Sequence, residues 1–410
     1  MSWQAKELCV LPEARFLQPS ESTLTGDQKK SIENTLCEIF SLQTRNLRFP
    51  GGQPCSIRRH ELPNLKEGYY VALKSDGVRF MLLLTRIGGK EIAVMVDRLM
   101  NVYEIEIWGN PMFFDGSLFD GELVWDHGST PPNLTYLIFD VICTKGKSLL
   151  QSNYEDRIIE ANRSVISNIP HYLNDEDLDA YIEDEDKIYA CNNYHNLKLC
   201  IKKVLPFEQL ATVWEARHAV NHMNDGVVFT KNGKVTPSYD VYKWKPDNTI
   251  DILFSSSLPT TLESGVDMYI RNGKKLVPWT TIDIATKRYD LKISDTKMIQ
   301  YIAQSESANA AGKVEFVTEC ICSVDQESGT ITVFPVKCRA DKTSPNNITT
   351  IIETIHNIIE NVEISEFYEV LSDCVQKSAT TVGATDLPKV VDNGTKCTAA
   401  RTTRSQKRKA

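Results

Sequence analysis

The sequence predicts an α+β chain of mostly antiparallel sheet, with helices set between strands and a smaller second β-domain behind. Three observations carry this. From residue 69 to 144, six short runs rich in β-branched and aromatic residues follow one another, each ended by Gly, Asn, Asp or Pro. Helical periodicity interrupts the strands at 155–169 and again at 206–220. Beyond about residue 256 short strands return with a different texture and close in an isoleucine-striped helix.

Taken in order, an amphipathic helix is expected over 27–42, and the turn-rich Phe49-Pro-Gly-Gly-Gln-Pro-Cys-Ser56 leads into the first strands. Those strands are read at 69–74, 80–86, 92–98, 102–107, 118–125 and 136–144. After the two helices, strands are expected at 226–230, 241–245 and 250–255. The second β-domain takes 268–271, 289–293, 314–322 and 330–339. In the closing helix, 348–361, Ile351, Ile352, Ile355, Ile358 and Ile359 share one stripe and should pack on that domain. The domain boundaries read from this pattern are 1–250, 251–377 with its closing helices, and a basic tail at 378–410.

Composition bounds the function. With 410 residues, 41% hydrophobic and 24% charged, the chain is long enough for two or three domains and too apolar for wholesale disorder. No apolar run approaches the ~20 residues of a bilayer span, and the N-terminus lacks the basic-then-apolar order of a signal peptide, so a soluble intracellular protein with no membrane partner is expected. The 11 cysteines form no Cys-x-x-Cys pair, which supports neither a disulfide framework nor a zinc module. Cys320 and Cys322 should share one face of a strand, and His218 and His222 read as surface or interface residues. Eight acids and one lysine between Asp175 and Lys187 supply −7 of the net charge of −8, so the acidity is local and the other surfaces are free to hold a basic groove. The last 13 residues, with five Lys and Arg and no acid, fit a nuclear-import signal or a weak nucleic-acid patch.

The sharpest local signal is Lys74-Ser-Asp-Gly-Val-Arg79, where one strand ends in a tight turn and the next begins. Four fixed positions at one in twenty each give Lys-x-Asp-Gly-x-Arg odds of about one in four hundred in a chain this long. A strand-end lysine is rigidly held, and Gly77 lets backbone approach a ligand. Lys243 and Lys245, two apart on a strand, turn both ammonium groups to one side and Trp244 to the other.

Five further segments appear in fixed order: Val96-Asp-Arg-Leu-Met-Asn-Val-Tyr103 with Phe119-Asp-Gly-Glu-Leu123, Tyr136-Leu-Ile-Phe-Asp-Val141, Asp225-Gly-Val-Val-Phe229, Tyr242-Lys-Trp-Lys-Pro246 followed by Thr249-Ile-Asp251, and Arg339-Ala-Asp-Lys342 with Pro345-Asn346. This order resembles the covalent nucleotidyltransferases, which comprise mRNA capping enzymes and ATP-dependent DNA and RNA ligases. Pro50-Gly-Gly-Gln-Pro54 and the Trp-bearing Lys-Trp-Lys-Pro tilt the resemblance toward the capping guanylyltransferases. Two positions depart from the family's last motif, where Val333 and Lys337 stand in place of a tryptophan and an arginine.

The resemblance implies a ligase-type, ATP-grasp-like nucleotidyltransferase domain followed by a β-barrel OB-fold. It makes Lys74 the nucleophile, with Asp225, Lys243 and Lys245 as catalytic companions. An ordinary lysine is neutral in about one molecule in 2,500 at pH 7, so cationic neighbours or a metal are needed. By the same resemblance Arg79, Arg98 and Glu122 face the ribose, Phe139 stacks on the base, Glu122 and Asp225 hold Mg²⁺ or Mn²⁺, and Arg339 and Lys342 reach the outer phosphates of GTP. For Phe139 the apolar run around it equally predicts a core position. The implied activity is mRNA guanylylation through a lysyl-GMP intermediate passed to 5′-diphosphate RNA, with an ATP-dependent polynucleotide ligase as the alternative. Implied partners are a separate RNA 5′-triphosphatase subunit and the phosphorylated RNA polymerase II tail, and the implied location is the nucleus.

Overall fold

The structure is a computed structural model that describes residues 24–42, 48–128, 130, 132–165, 188–190, 197–235, 241–257, 267–284, 287–294, 313–339 and 342–381. The acidic stretch and the basic tail lie outside these residues. Helix α1 (Gly26–Phe40) starts at Thr25, whose side chain and that of Gln28 cap each other's backbone N–H groups. The first strands are β1 (Cys55–Ser56), β2 (Tyr69–Ser75), β3 (Val78–Ile87), β4 (Lys90–Asp97), β5 (Val102–Ile105), β6 (Ile107–Gly109), β7 (Ser117–Asp126), β8 (Asn133–Thr144) and β9 (Lys147–Ser148). After α2 (Tyr154–Ser164) come β10 (Ile188–Ala190), β11 (Lys198–Ile201), β12 (Leu205–Pro206), α3 (Leu210–Ala216), β13 (Asn224–Lys231) and β14 (Val241–Trp244).

These strands form a five-stranded sheet, β1-β14-β13-β2-β12, a seven-stranded sheet, β11-β8-β7-β3-β4-β5 with β9 beside β8, and the small β6-β10 ribbon. Alternation along β3 fills both faces of its sheet. Phe80, Leu82 and Leu84 join one core cluster, while Met81 and Leu83 meet Ile32 and Leu36 of α1 in another.

The second unit comprises β15 (Thr249–Ser257), β16 (Asp267–Asn272), β17 (Lys275–Pro278), β18 (Thr281–Ile284), β19 (Lys287–Ile293), β20 (Lys313–Asp325) and β21 (Thr330–Cys338), one sheet in the order β17-β16-β15-β20-β21-β19-β18. Its strands curl around a single core that includes Ile252, Phe254 and Ile331, in keeping with the OB-type unit expected. Ile351 and Ile355 of α4 (Ile348–Glu360) cover that core, as the isoleucine stripe foretold. Cys320 and Cys322 are both buried within it.

Three expectations need correction. The helix expected at 155–169 gives way to extended backbone at Val165. The one expected at 206–220 is only α3, because Leu205 and Pro206 pair with the edge of β2 and the chain turns at Arg217, whose guanidinium caps the Trp214 ring at 4.1 Å. The closing helices also divide between the two units. α5 (Ile364–Thr381) returns to the first one, where Phe367 is fully buried, stacks on Phe229 at 5.3 Å and meets Trp244 edge-on. The Trp244 indole N–H donates to the Val362 carbonyl at 2.7 Å, so the second unit is tied to the first at both of its ends. Among the described residues no helix is long and apolar enough to cross a membrane.

Candidate active site

Strand β2 belongs to one sheet and β3 to the other, so the turn after Lys74 is the point where the chain crosses between them. The turn leaves no room for a side chain at Gly77, where a Cβ would lie 2.3 Å from the Leu123 carbonyl oxygen. It is anchored from below. Asp76 N–H donates to the Met223 carbonyl at 2.9 Å, and Ser75 Oγ shares a 3.0 Å hydrogen bond with His222 Nε2.

Lys74 Nζ donates to Asp225 Oδ1 at 2.8 Å, and Lys245 pairs with the other oxygen of the same carboxylate. Asp225 stands at the start of β13, where the pairing with β2 shifts register between Asn224 and Val227, an irregularity that re-aims a side chain out of the ladder. Gly226 follows at φ 153°, with the Trp244 carbonyl oxygen 2.0 Å from where a Cβ would be. Burial works against the charge of Asp225, yet the ammonium groups of Lys74 and Lys245 hold its carboxyl below the usual value. Lys243 is pulled the other way, down, by burial and by the charges of Lys245 and Lys74.

Arg79 is buried against Asp120 in a fork, Nε to Oδ1 at 2.9 Å and Nη2 to Oδ2 at 2.6 Å, and its Nη1 donates to the Gly52 carbonyl at 2.7 Å. Its guanidinium lies 5.1 Å from the Phe49 ring centroid and 5.4 Å from that of Phe139. These groups line a small cavity of 170 Å³. Irregular pairing between β7 and β8 passes over Phe139, which leaves its ring half-buried at the cavity wall instead of in the core. The Tyr154 hydroxyl donates to the Phe139 carbonyl at 2.9 Å, and Asp140 is forked by Arg157 at 2.7 and 3.0 Å, so the platform is fixed from behind. Lys202 Nζ sits 5.7 Å from the Phe139 centroid. Burial pushes its pKa down to about 8, with Glu122 opposing the shift and Lys74 adding to it.

A larger cleft of 840 Å³ opens beside this cavity, between the two units. Lys74, Asp225, Lys243 and Lys245 form one wall, and Arg339, Lys342 and Lys337 come from the second unit. Asp251, buried at 5% exposure, organises the second wall. Its carboxylate pairs with Arg339 Nη1 at 3.3 Å and with Lys342, and accepts from Asn346 Nδ2 at 3.2 Å. Lys337 thus brings a positive charge to the cleft, whereas Val333 is core.

Residues 20–247 match the family described as the mRNA capping enzyme, catalytic domain. The chain belongs to that family. The mRNA-capping enzyme subunit alpha of Kluyveromyces lactis is 24% identical over 408 residues, covering 85% of this chain and 82% of that protein. The mRNA-capping enzyme of Danio rerio is 26% identical over 366 residues, covering 87% of this chain and 54% of the longer relative. Among solved structures, a mycobacterial DNA ligase D complexed with ATP and MES is 14% identical, with a TM-score of 0.35 over 72% of this chain and 96% of that one.

All ten candidate site residues named from the sequence of this capping-enzyme chain line one of the two cavities: Lys74, Arg79, Arg98 and Glu122 line both, Phe139 the small one, and Asp225, Lys243, Lys245, Arg339 and Lys342 the cleft. Arg98 sits exposed at the mouth. His222, expected at the surface or an interface, is half-buried beneath the turn that follows Lys74. Three residues went unassigned. Asp120 and Asp251 lie inside segments already quoted, so their signal was present without a role. Lys202, after β11, carries no local signal at all.

Proposed function

We propose that this chain is an mRNA guanylyltransferase. The observation that carries the reading is Lys74, held by Asp225 at the floor of a cleft whose far wall bears Arg339 and Lys342, with an aromatic base-sized cavity alongside. Lys74 must shed its proton before its nitrogen can attack the α-phosphorus of GTP. Pyrophosphate then leaves and a lysyl-GMP phosphoramidate remains. Lys243 and Lys245 flank the carboxylate and meet the charge that develops on the α-phosphate. Arg339 and Lys342 take the outer phosphates as the units close.

Guanine is preferred over adenine because Lys202 is a pure donor at the head of the small cavity. Guanine O6 accepts a hydrogen bond, whereas the adenine N6 amino group in that place can only donate. That contact favours the capping reading over the ATP-dependent ligase.

Among the described residues no three His, Cys, Asp or Glu side chains gather as a metal site; Glu122 and Asp225, which both line the cleft, are the carboxylates that would hold a divalent ion. Hard oxygens with nucleotide phosphates suit Mg²⁺ or Mn²⁺, and burial raises the Glu122 pKa in a way that a nearby cation would offset. When bound, the ion would neutralise phosphate charge.

The Kluyveromyces lactis relative is named as a subunit alpha, which supports a partner subunit here. We take that partner to be an RNA 5′-triphosphatase and the recruiter to be the phosphorylated RNA polymerase II tail, both in the nucleus, where this reading sets the reaction. The test of the reading is covalent labelling by α-labelled GTP. Label from ATP alone would assign the chain to the ligases.

A further inference from the structure

We infer that the cleft wall formed by α4 seats the first nucleotides of the RNA acceptor. This rests on the guanylyltransferase reading. In-line displacement dictates where the acceptor arrives. During loading, Lys74 Nζ and the departing pyrophosphate oxygen lie on opposite sides of the α-phosphorus. During transfer, an oxygen of the RNA's terminal phosphate forms the new P–O bond as the P–N bond breaks. The electron pair returns to the Lys74 nitrogen, which takes a proton from water and leaves as the amine. The terminal phosphate of the RNA therefore enters where pyrophosphate left, on the side of Arg339 and Lys342.

From that point the structure offers a path. Asn346, which donates to Asp251 from Nδ2 at 3.2 Å and accepts from the Asp251 N–H at 2.8 Å, leads directly into α4. Thr350, Thr354 and Asn357 rise along one face of that helix, four and three residues apart, and all three line the cleft. The Thr354 hydroxyl donates to the Thr350 carbonyl at 2.9 Å, which leaves its oxygen free to accept. Asn357 Oδ1 is shielded and has no hydrogen-bond partner among the described residues.

The cleft is also larger than its first substrate requires. Cavities of roughly 300–1,000 Å³ hold a whole drug-sized ligand. Here the base has its own 170 Å³, so the phosphates and part of the ribose share 840 Å³. Uncharged hydroxyl and amide groups suit ribose 2′-hydroxyls and base edges better than phosphates, which is how single-stranded RNA is told from DNA.

The test uses the full chain carrying Thr350→Ala, Thr354→Ala and Asn357→Ala together. It is loaded with α-labelled GTP, freed of nucleotide and offered 5′-diphosphate acceptors of one, three and six nucleotides. Loading shows that the variant is folded. The parent's KM should fall as the acceptor grows from one nucleotide to three. The variant should lose that gain, its KM for the trinucleotide rising at least about tenfold for three lost uncharged hydrogen bonds, with the one-nucleotide acceptor unaffected. An all-deoxy trinucleotide should show the same loss with the parent. A loaded variant that keeps the parent's length dependence overturns the inference. Failure of the parent to be labelled by GTP at all sinks the guanylyltransferase reading instead.

Discussion

Asp120→Asn removes one negative charge from the buried wall of the small cavity beside Phe139 and leaves nearly the same shape. The carboxylate is 3% exposed and takes both forks of Arg79, at 2.9 and 2.6 Å, and the Arg79 side chain is itself 7% exposed. Burial alone would lower the pKa of that guanidinium; the charge and the hydrogen bonds of Asp120, joined by the charge of Glu122, together outweigh it and leave the pKa raised. Two charges about 4 Å apart at an effective dielectric of ~20 attract by roughly 4 kcal/mol. Removing one partner of a buried pair typically costs about 3–5 kcal/mol, so the two figures agree. After the change Arg79 keeps its bond to the Gly52 carbonyl, which cannot neutralise it. Against a total stability of about 5–15 kcal/mol, this is a large fraction. Urea unfolding followed by tryptophan fluorescence measures it. A paired replacement, Arg79→Met with Asp120→Leu, should regain most of the stability, since apolar residues of similar volume often substitute for a buried ion pair. It should still fail to label with GTP, because Arg79 lines the cavity proposed for the base. A loss below about 1 kcal/mol in Asp120→Asn, or a paired replacement that labels like the parent, would refute the reasoning.

Lys202→Met should lower the GTP-to-ATP labelling ratio by roughly 10- to 100-fold, the loss of one charge-assisted hydrogen bond, and an unchanged ratio would remove Lys202 from base recognition. The same residue sets a pH dependence. With its pKa down from 10.5 to about 8, the folded chain binds that proton less tightly than the unfolded chain, so stability should rise between pH 8 and 10.5 by on the order of 3 kcal/mol. Below pH 8 both states hold the proton and this contribution is flat; urea midpoints of Lys202→Met should lack the rise, and an identical rise in that variant would contradict the assignment. Asp225→Asn leaves Lys74 and Lys245 without their shared counter-charge and should slow labelling by on the order of 10²-fold or more, measured as the rate of enzyme-GMP formation.

The sheet framework was legible because its strands alternate and are punctuated by glycine and asparagine, and the site because its residues fall in short segments whose order identifies them. What escaped depended on contacts between residues far apart in the chain. Asp120 reads as one more acid until β3 and β7 pair and bring Arg79 opposite Glu122, beside it. Asp251 acquires a role only when β15 meets the loop carrying Lys342 and Asn346. Lys202 follows a four-residue strand, and its surroundings come from β8 and β7. The short edge strands β17 and β18 carry too little pattern to stand out. The return of α5 to the first unit rests on Phe367 fitting between Phe229 and Trp244, a match that no periodicity encodes. Phe139 shows the converse. Its neighbours predict core, and an irregularity in strand pairing decides otherwise.

The most direct test of the account is to incubate the chain with α-labelled GTP or ATP and Mg²⁺, separate it on a denaturing gel, and map the labelled peptide. Label is expected from GTP and not ATP, reversed by pyrophosphate, labile in acid, stable in alkali and carried on Lys74. In Lys74→Arg, which keeps the charge but cannot be usefully deprotonated, it should vanish while the fold persists. Label that survives in Lys74→Arg, or that maps to another residue, would contradict the account at its centre.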